Sequence, residues 1–413
     1  MSQPRRIEID RYRYSLPEEL IARYPLPLRD QSGLLIYDRG VIEKRTFTEL
    51  PEIIPAGTRL AFNKTKVIQA RLYFRKPTGA RIEIFCLEPF HPADYERAFR
   101  ATGTCSWKCL VGNARKWKGG PVYLSLKRGD KELTVSALMK GNSGEGFTIQ
   151  FSWDARDVTF GDILQLAGQT PIPPYLQREA EESDRERYQT VYSRDPGSVA
   201  APTAGLHFTG EMIRRLEQKG IRPSHVTLHV GTGTFVPVKE KDAREHHMHT
   251  ELVIVTGSFL EEWASHAEPF LAVGTTTVRS LESLYWLGVK ILNGEEPDPA
   301  FIGLKQWEDE SLPGNHSLEA SLRSLLGYCR QHGLKELVFT TQLMVVPGYR
   351  FRTVSGLITN FHMPGSTLLL LIAAFIGEDW RKVYDFALAD RFRFLSYGDS
   401  SLLLPGGWSG AQQ

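Results

Sequence analysis

The chain has 413 residues, of which 41% are hydrophobic and 24% are charged, and its 50 basic and 48 acidic residues give a net charge of +2. These values exclude a disordered chain and are ordinary for a globular protein with room for two domains. The near-neutral charge neither requires nor excludes nucleic acid, because such binding depends on where basic residues cluster.

The chain has no feature of an exported or membrane protein. Its 4 cysteines are too few for a disulfide framework in a chain of this length. The first residues lack the apolar core of a signal peptide. The most apolar run, residues 368–376, is much shorter than the roughly 20 residues of a membrane helix. We therefore expect a cytoplasmic protein in a reducing compartment.

The first 62 residues predict short elements of an α/β unit. A helix is predicted over 17–24, and strands are predicted over 34–37, 41–45 and 59–62. Asp38, Arg39 and Gly40 form the turn between the first two strands.

Residues 63–152 differ in character from what precedes them. They contain about six predicted strands, Gly-rich turns and no predicted helix, which is typical of a small barrel or sandwich. The strands are predicted over 67–74, 80–87, 107–111, 121–126, 132–138 and 147–151.

This β-rich segment is also locally basic. Basic residues near Trp107 and Trp117 suit phosphate contact combined with base stacking. The alternative is a solvated strand face without a ligand. The residues that we predict to contact nucleic acid are Lys64, Lys66, Arg71, Arg75, Lys76 and Lys116.

Residues 153–413 alternate strands and helices, which predicts an α/β sheet. Strands are predicted over 225–230, 251–255, 270–273 and 357–361, and helices over 160–167, 210–219, 259–267, 318–331 and 368–376. Residues 171–175 are Pro-rich and predict a stiff link, and residues 293–317 predict an insertion loop. We thus predict an α/β main domain, a mixed sheet with helices, from residues 1–62 and 153–413, with a small β-barrel domain inserted at 63–152.

The stretch over 195–209 is rich in Gly, Pro and Ala and ends in His207 and the helix-capping residue Thr209. Small residues and prolines impose a fixed path along which a ligand can approach closely. A rigid loop that ends in a titratable side chain fits an active-site wall. The alternative is a tight crossover loop with a structural histidine.

Two strand-turn-helix units follow a common scheme, one through Thr275 and Thr276 and the other through His362 and Thr367. Ligands of α/β sheets bind beyond the carboxyl ends of the strands. The free N–H groups at each helix start suit a carboxylate or a phosphate. Ordinary helix capping is the alternative.

Other patterns exclude or weaken particular reactions. The run over 231–236 lacks the third glycine of a dinucleotide fingerprint, and no helix follows it; a ligand-binding loop that includes Thr234 remains open. Neither a Walker A sequence nor a Gly-x-Ser-x-Gly elbow is present. His246, His247 and His249 lie close to Glu251, but their spacing fits no zinc pattern, so we expect a polar loop and no metal.

Several motifs occur in an order that resembles the S-adenosylmethionine:tRNA ribosyltransferase-isomerases of queuosine biosynthesis. The longest is Asp-Pro-Gly-Ser-Val-Ala-Ala-Pro-Thr-Ala-Gly-Leu-His-Phe-Thr at 195–209, preceded by Tyr-Gln-Thr-Val-Tyr at 188–192. The other matching segments are 24–26, 29–32, 62–67, 70–72, 226–235, 247–251, 272–283, 356–364 and 394–399.

The resemblance implies an α/β domain with an inserted β-barrel and a defined reaction. The ribosyl part of S-adenosylmethionine moves onto 7-aminomethyl-7-deazaguanine at the wobble position of tRNA, which gives epoxyqueuosine, adenine and methionine. S-adenosylmethionine is therefore a substrate, and no cofactor or metal is implied. The expected partner is tRNA that carries the modified base, and the expected oligomeric state is a monomer.

The reaction assigns expected roles to residues of the matching segments. A base must remove a proton beside the sulfonium, and the candidates are His207, His229, His249, Glu251 and Glu282. His362 or Asp399 is expected to protonate the departing adenine. Arg279 or a helix N-terminus is expected to hold the methionine carboxylate. Expected contacts to the substrate come from Thr203, Thr234, Thr275, Thr276, Glu282, Asn360 and Thr367.

The chain departs from the family pattern at two places. Gly365 stands where a basic residue often follows the His-x-Pro motif, and residues 287–341 form a longer and different segment whose role is open. Two rival functions follow. One is an RNA-binding relative without turnover, and the other is a paralogue that acts on a free deazapurine. The sequence leaves open which residue is the base and which tRNAs are modified.

Overall fold

The structure is a computed structural model that describes residues 6–129, 131–144, 146–231 and 237–407. Its strands in chain order are β1 (Gly33–Asp38), β2 (Val41–Thr46), β3 (Arg59–Asn63), β4 (Thr65–Val67), β5 (Arg71–Arg75), β6 (Arg81–His91), β7 (Thr104–Gly112), β8 (Val122–Arg128), β9 (Lys131–Ser143), β10 (Gly146–Trp153), β11 (Asp195–Ser198), β12 (Arg222–His229), β13 (Glu251–Thr256), β14 (Phe270–Val273), β15 (Gly303–Leu304), β16 (Glu336–Thr341), β17 (Val354–Asn360) and β18 (Ser400–Leu404).

The α-helices lie mainly in the second half of the chain. They are α1 (Leu50–Ile53), α2 (Tyr95–Arg100), α3 (Phe160–Ala167), α4 (Asp184–Arg187), α5 (Gly210–Gln218), α6 (Gly257–His266), α7 (Thr275–Leu292), α8 (Leu318–Gln331), α9 (Thr367–Ile376) and α10 (Trp380–Ala389). Within the described ranges, no helix is both long and apolar enough to cross a membrane.

The main sheet has ten strands in the order β15-β16-β13-β12-β3-β14-β17-β18-β1-β2. Strands β12, β3, β14 and β17 run parallel to one another, whereas β13 is antiparallel to β12 and β18 is antiparallel to β17. The sheet is therefore mixed. Carboxyl ends of the central strands share one edge with the amino ends of β13, β18 and β1, which places many loop residues at that edge.

Helices cover both faces of this sheet because its strand residues alternate between two cores. Leu357 and Leu403 pack with residues of α6 to α10 on one face. Ile358 and Leu402 pack with Phe208 and other residues around α5 on the opposite face. The strand residues are thus apolar on both faces, as expected for a sheet between two helical layers.

The second body of the fold is a closed barrel of six strands in the order β10-β7-β6-β5-β8-β9. Trp107, Phe74 and Phe151 are fully buried inside its core. A large mixed sheet with helices and a closed β-barrel together confirm the predicted fold class.

Three local predictions were wrong. The helix expected over 17–24 is only a 3₁₀ turn, Glu18–Leu20. The strand expected over 67–74 is divided into β4 and β5. The barrel segment, expected to lack helices, contains α2, which starts where the Asp94 side chain accepts a hydrogen bond from the Arg97 N–H.

Candidate functional site

Loops from distant parts of the chain meet at the edge formed by the carboxyl ends of the central strands. Asn360 is the last residue of β17 and pairs with Ser400 at the start of β18. Ser400 also pairs with Leu34 in β1. Thr275 follows β14 after one intervening residue, and His229 ends β12. The directions of these strands therefore bring residues from distant parts of the sequence together at one edge of the sheet.

A cavity opens at this edge. It is lined by Tyr175, Ala201, Pro202, Thr203, Ala204, Val230, Gly274, Thr275, Thr276, Thr359, Asn360, Phe361, His362, Met363, Ser366, Leu368, Leu395 and Ser396. We call it the central cavity. Its walls are mostly apolar, with a few converging hydroxyl and amide groups, which is the usual composition of a small-molecule site.

The start of α7 forms one wall of the central cavity. Gly274 precedes the helix with a φ of +92°, a conformation that favours glycine. The first N–H groups of this 18-residue helix carry its positive dipole end. Thr276 Oγ1 is buried there, and it has no hydrogen-bond partner among the residues that the structure describes. An unpaired buried hydroxyl is costly, so this atom is suited to bind a ligand.

Asn360 lines the central cavity and begins a chain of three polar side chains that extends behind the wall. Asn360 Nδ2 lies 3.1 Å from His207 Nε2, and His207 Nδ1 lies 2.8 Å from Ser32 Oγ. Because the amide nitrogen donates, the His207 ring accepts at Nε2 and donates from Nδ1. Asn360 Oδ1 is buried, and no residue within the described ranges is its hydrogen-bond partner. The arrangement holds the Asn360 amide with its oxygen available to a ligand.

Burial sets the charge of the histidines here. It lowers the pKa of His207 to about 4, and His207 lies behind Asn360 instead of on the cavity wall. His362 does line the cavity, and burial lowers its pKa to about 3. Its Nε2 lies 3.0 Å from Thr359 Oγ1, while its main chain is held by Tyr14 and Tyr384. Both rings are neutral near pH 7.

A second, smaller cavity adjoins the first through Leu368. It is lined by His246, Met248, His249, Glu251, Arg279, Leu343, Met344, Val345, Thr367, Leu368 and Leu371. Arg279 Nη1 lies 2.6 Å from Glu251 Oε2 in an ion pair that is almost completely buried. Arg279 Nε donates to the Leu343 carbonyl, and Arg279 Nη2 is buried with no hydrogen-bond partner in the part of the chain that the structure describes.

His229 lies where the main sheet meets the barrel. Its Nδ1 is 3.0 Å from Thr65 Oγ1, and its ring lies 4.6 Å from that of Tyr95 in α2. Gly197 has a φ of +150°, and a Cβ at that position would lie 2.6 Å from His229 Cε1. Burial lowers the pKa of His229 to about 4. The ring is therefore neutral and packed between both parts of the fold.

Glu282 and Asp399 do not have the expected surroundings. Glu282 accepts hydrogen bonds from Tyr349 Oη, from the Arg352 N–H, and from both the N–H and the hydroxyl of Thr353. Thr353 directly precedes β17, so these contacts are at the opposite edge of the sheet from the central cavity. Burial raises the pKa of Glu282. Asp399 accepts a hydrogen bond from the Gly33 N–H at 3.0 Å and another from Arg393 at 2.9 Å. In both contacts its carboxylate is the acceptor and not the donor. Both carboxylates thus make hydrogen bonds that join separate parts of the fold.

The other predicted substrate residues fall into separate places. Thr203, Thr275, Thr276 and Asn360 line the central cavity, whereas Thr367 lines the second. His249 is an exposed residue at the rim of the second cavity. Thr234 lies outside the described residues.

The basic residues that were predicted to contact nucleic acid are not one surface. Arg75, Lys76 and Lys116 lie together at the turn between β5 and β6, where Lys76 Nζ donates to the Lys116 carbonyl. Lys64 pairs with Asp195 at 3.1 Å, and Arg71 pairs with Glu83 at 2.5 Å. Lys66 is exposed at the junction of the barrel and the main sheet, where it lines a separate groove.

Sequence reasoning missed Tyr175 and Ser396, which line the central cavity and hydrogen-bond to each other through their hydroxyls. Tyr175 lies in the Pro-rich segment that was interpreted as a stiff link, so it was not selected as a site residue. The only signal for it in the sequence was its position directly after the stiff run 171–174. Ser396 lay inside the matching segment 394–399, but Asp399 alone was selected there. In the described part of the chain, no group of three or more His, Cys, Asp or Glu side chains is placed to share a metal ion.

Comparison with known proteins gives consistent results. A family model described as queuosine biosynthesis protein matches residues 9–403. An S-adenosylmethionine:tRNA ribosyltransferase-isomerase from Syntrophomonas wolfei is 37% identical over 400 residues, which is 95% of this chain and 96% of that protein. One from Thermotoga maritima is 37% identical over 404 residues, which is 96% of this chain and 100% of that protein. The crystal structure of S-adenosylmethionine tRNA ribosyltransferase from Thermotoga maritima is 30% identical, covers 95% of this chain and 99% of its own, and has a TM-score of 0.44.

Proposed function

Since this chain belongs to the queuosine biosynthesis protein family and is an S-adenosylmethionine:tRNA ribosyltransferase-isomerase, we propose that its reaction takes place in the central cavity and the adjoining second cavity. In this reaction the ribosyl group of S-adenosylmethionine is transferred to 7-aminomethyl-7-deazaguanine in tRNA and isomerised. The products are epoxyqueuosine-tRNA, adenine and methionine.

The observation that carries this proposal concerns two buried atoms of the central cavity, Thr276 Oγ1 and Asn360 Oδ1, which have no hydrogen-bond partner in the described part of the chain. An amide oxygen accepts from an exocyclic amine such as that of adenine, and a hydroxyl both donates to and accepts from ribose hydroxyls. Each atom gains a hydrogen bond on binding and therefore favours the complex. Asn360 and Thr276 accordingly bind the adenosine part, with Thr203 and Thr275 beside them.

Arg279 binds the methionine part from the second cavity. Thr276 and Arg279 are three residues apart on α7, so their side chains share one helix face. An extended ligand that contacts Thr276 in one cavity thus reaches Arg279 in the other. Arg279 Nη2 has no hydrogen-bond partner among the described residues and is suited to a carboxylate, and the Glu251 carboxylate beside it suits an α-ammonium group.

His362 is the histidine of the predicted set that stands on the wall of the central cavity. With its pKa lowered to about 3, it carries no extra proton to give to adenine near neutral pH. We therefore assign it to accepting the proton from the carbon beside the sulfonium and, once protonated, to returning that proton to the departing adenine. The acceptor role was not expected for His362 from the sequence.

The partners and location follow the same proposal. The RNA substrate is tRNA that carries the aminomethyl-deazaguanine base, no separate cofactor is required, and the enzyme acts as a cytoplasmic monomer. Support for a reducing compartment comes from the four cysteines, Cys86, Cys105, Cys109 and Cys329, which are buried free thiols.

The test is adenine release from S-adenosylmethionine, measured with tRNA that carries the modified base, with unmodified tRNA, and with the free deazapurine. Release with the modified tRNA alone is expected. Release with the free base would identify the paralogue that acts on a small molecule. Failure to release adenine with any of the three, while tRNA still binds, would identify an RNA-binding relative and overturn the proposal.

A further inference from the structure

A basic groove separates the barrel from the main sheet, and it is distinct from both cavities. Its lining includes Lys66, Arg100, Asp162, Arg185, Arg194 and Pro196. We call it the junction groove. Four of these side chains are basic and one, Asp162, is acidic.

Two of the four cations are uncompensated. Lys66 and Arg194 are exposed, and neither forms an ion pair with any residue that the structure describes. Arg100 and Arg185 pair only with Glu96 and Glu182, both solvent-exposed. Such exposed pairs contribute little and exchange readily for other anions.

The one acidic side chain offsets only one of these four positive charges. Asp162 accepts hydrogen bonds from the N–H and the hydroxyl of Thr159, both at 2.8 Å, at the start of α3. Its carboxylate therefore serves the helix cap. The pKa of the nearby His225 also reflects positive charge in this region. Burial is the main cause of its lowered pKa, and the positive charges of Lys64 and Arg194 lower it further.

The backbone joins the junction groove to the central cavity. Lys66 in β4 pairs with Pro196 in the parallel strand β11. Pro196 lines the groove, and Ala201, five residues later, lines the cavity. Five residues span at most about 18 Å, so an anion in the groove lies within that reach of the cavity wall.

We propose that the junction groove holds the sugar–phosphate backbone of the tRNA while the target base enters the central cavity. The proposal rests on the proposed function for the identity of the RNA. A concave, net-positive surface is suited to neutralise phosphates, and Gln69 and Gln165 offer amide donors between the cations. The main contact of the tRNA backbone is thus the groove, rather than the β5–β6 turn at the far end of β5.

The test measures tRNA affinity as a function of salt, with unmodified tRNA so that no turnover is needed. For the K66E/R194E variant we expect the Kd at fixed salt to rise at least tenfold. The slope of log Kd against log salt is expected to fall by about 2, because each lost phosphate contact removes about 0.9. The neutral variant K66Q/R194Q is expected to show an intermediate loss.

The matched control is R214E/R323E, which reverses two exposed cations in α5 and α8 and keeps the same change in net charge. It is expected to bind tRNA as the wild type does. An unchanged Kd and slope in K66E/R194E would overturn the proposal, as would an equal loss in the control variant.

Two further measurements separate this proposal from the proposed function. The affinity of K66E/R194E for S-adenosylmethionine is expected to equal that of the wild type, because neither residue lines the two cavities. If the wild type binds tRNA through the groove but never releases adenine, the groove assignment stands and the proposed reaction fails.

Discussion

The Asn360 amide lies 3.1 Å from the His207 ring, which in turn lies 2.8 Å from Ser32 Oγ. His207 uses both ring nitrogens in this chain and is therefore a positioning residue. We infer that it directs Asn360 Oδ1, which has no hydrogen-bond partner among the described residues, into the central cavity.

We expect Asn360→Ala to weaken S-adenosylmethionine binding about tenfold, which corresponds to about 1.4 kcal/mol and to one hydrogen bond lost. Asn142→Ala, at an exposed position of β9, is the matched control and should leave the Kd unchanged. If His207 acts through Asn360, the effects of His207→Gln and Asn360→Ala on the Kd, measured by calorimetry, should be non-additive by at least about 0.5 kcal/mol. Strict additivity would show that the two residues act separately.

Arg279 should discriminate S-adenosylmethionine from its decarboxylated analogue. The wild type is expected to bind the analogue at least tenfold more weakly, because Arg279 Nη2 then stays unpaired. Arg279→Lys keeps a charge beside Glu251 but loses the forked geometry, so this ratio should fall toward one. Alanine is unsuitable at this position, since it would leave the Glu251 carboxylate buried without its cation. An unchanged ratio in Arg279→Lys would exclude Arg279 from the carboxylate site.

The pH dependence of stability should report the buried histidines. The pKa values of His207 and His229 are lowered to about 4 and that of His362 to about 3, against about 6.5 when unfolded. Between the folded and the unfolded pKa values, the unfolded state therefore binds more protons than the folded state. The stability that each neutral histidine contributes is fully present above pH 6.5 and is lost as the pH falls toward 4. Each histidine should cost about 2 kcal/mol at pH 5 relative to pH 7.5. Urea unfolding at both pH values tests this, and His207→Gln should show a smaller difference than the wild type.

Glu282 and Arg279 illustrate that the sequence does not distinguish a residue with structural contacts from one that faces a cavity. Glu282 stands three residues after Arg279, in the same motif and on a helix that is buried on all sides. Residue type and spacing make both equally good candidates for the substrate. Their partners decide the difference, and those of Glu282 lie about 70 residues later in the chain, at the opposite edge of the sheet.

The convergence of loops, by contrast, was predictable. Alternating strands and helices place the loops after β14 and β17 at one edge, and the structure places Thr276 and Asn360 there. Which histidine faces the cavity was not predictable, because the contacts of His207 with Ser32 and Asn360 span 175 and 153 residues. Tertiary contacts of that range leave no local pattern in the sequence.

Glu282→Gln should therefore destabilise the protein without affecting the substrate. Tyr349 Oη donates to Glu282 Oε2 and the Thr353 N–H donates to Oε1, so an amide donor in place of either oxygen leaves at least one buried donor without its acceptor, at a cost of about 3 kcal/mol in urea unfolding. Glu319→Gln, on the exposed face of α8, is the control and should change stability by less than about 0.5 kcal/mol. Unchanged stability together with lost S-adenosylmethionine binding would return Glu282 to the substrate site.

Gly197→Ala should disturb the contact between main sheet and barrel through His229. The new Cβ would lie 2.6 Å from His229 Cε1, and φ at Gly197 is +150°, so both the ring and the backbone oppose the substitution. We expect a loss of more than 1 kcal/mol in urea unfolding. Gly210→Ala is the matched control, because a Cβ there meets no atom within 4 Å. If the ring is the main obstacle, His229→Ala in the Gly197→Ala background should restore part of the loss. A double variant in which the two losses simply add would show that the backbone conformation, and not the ring, requires glycine.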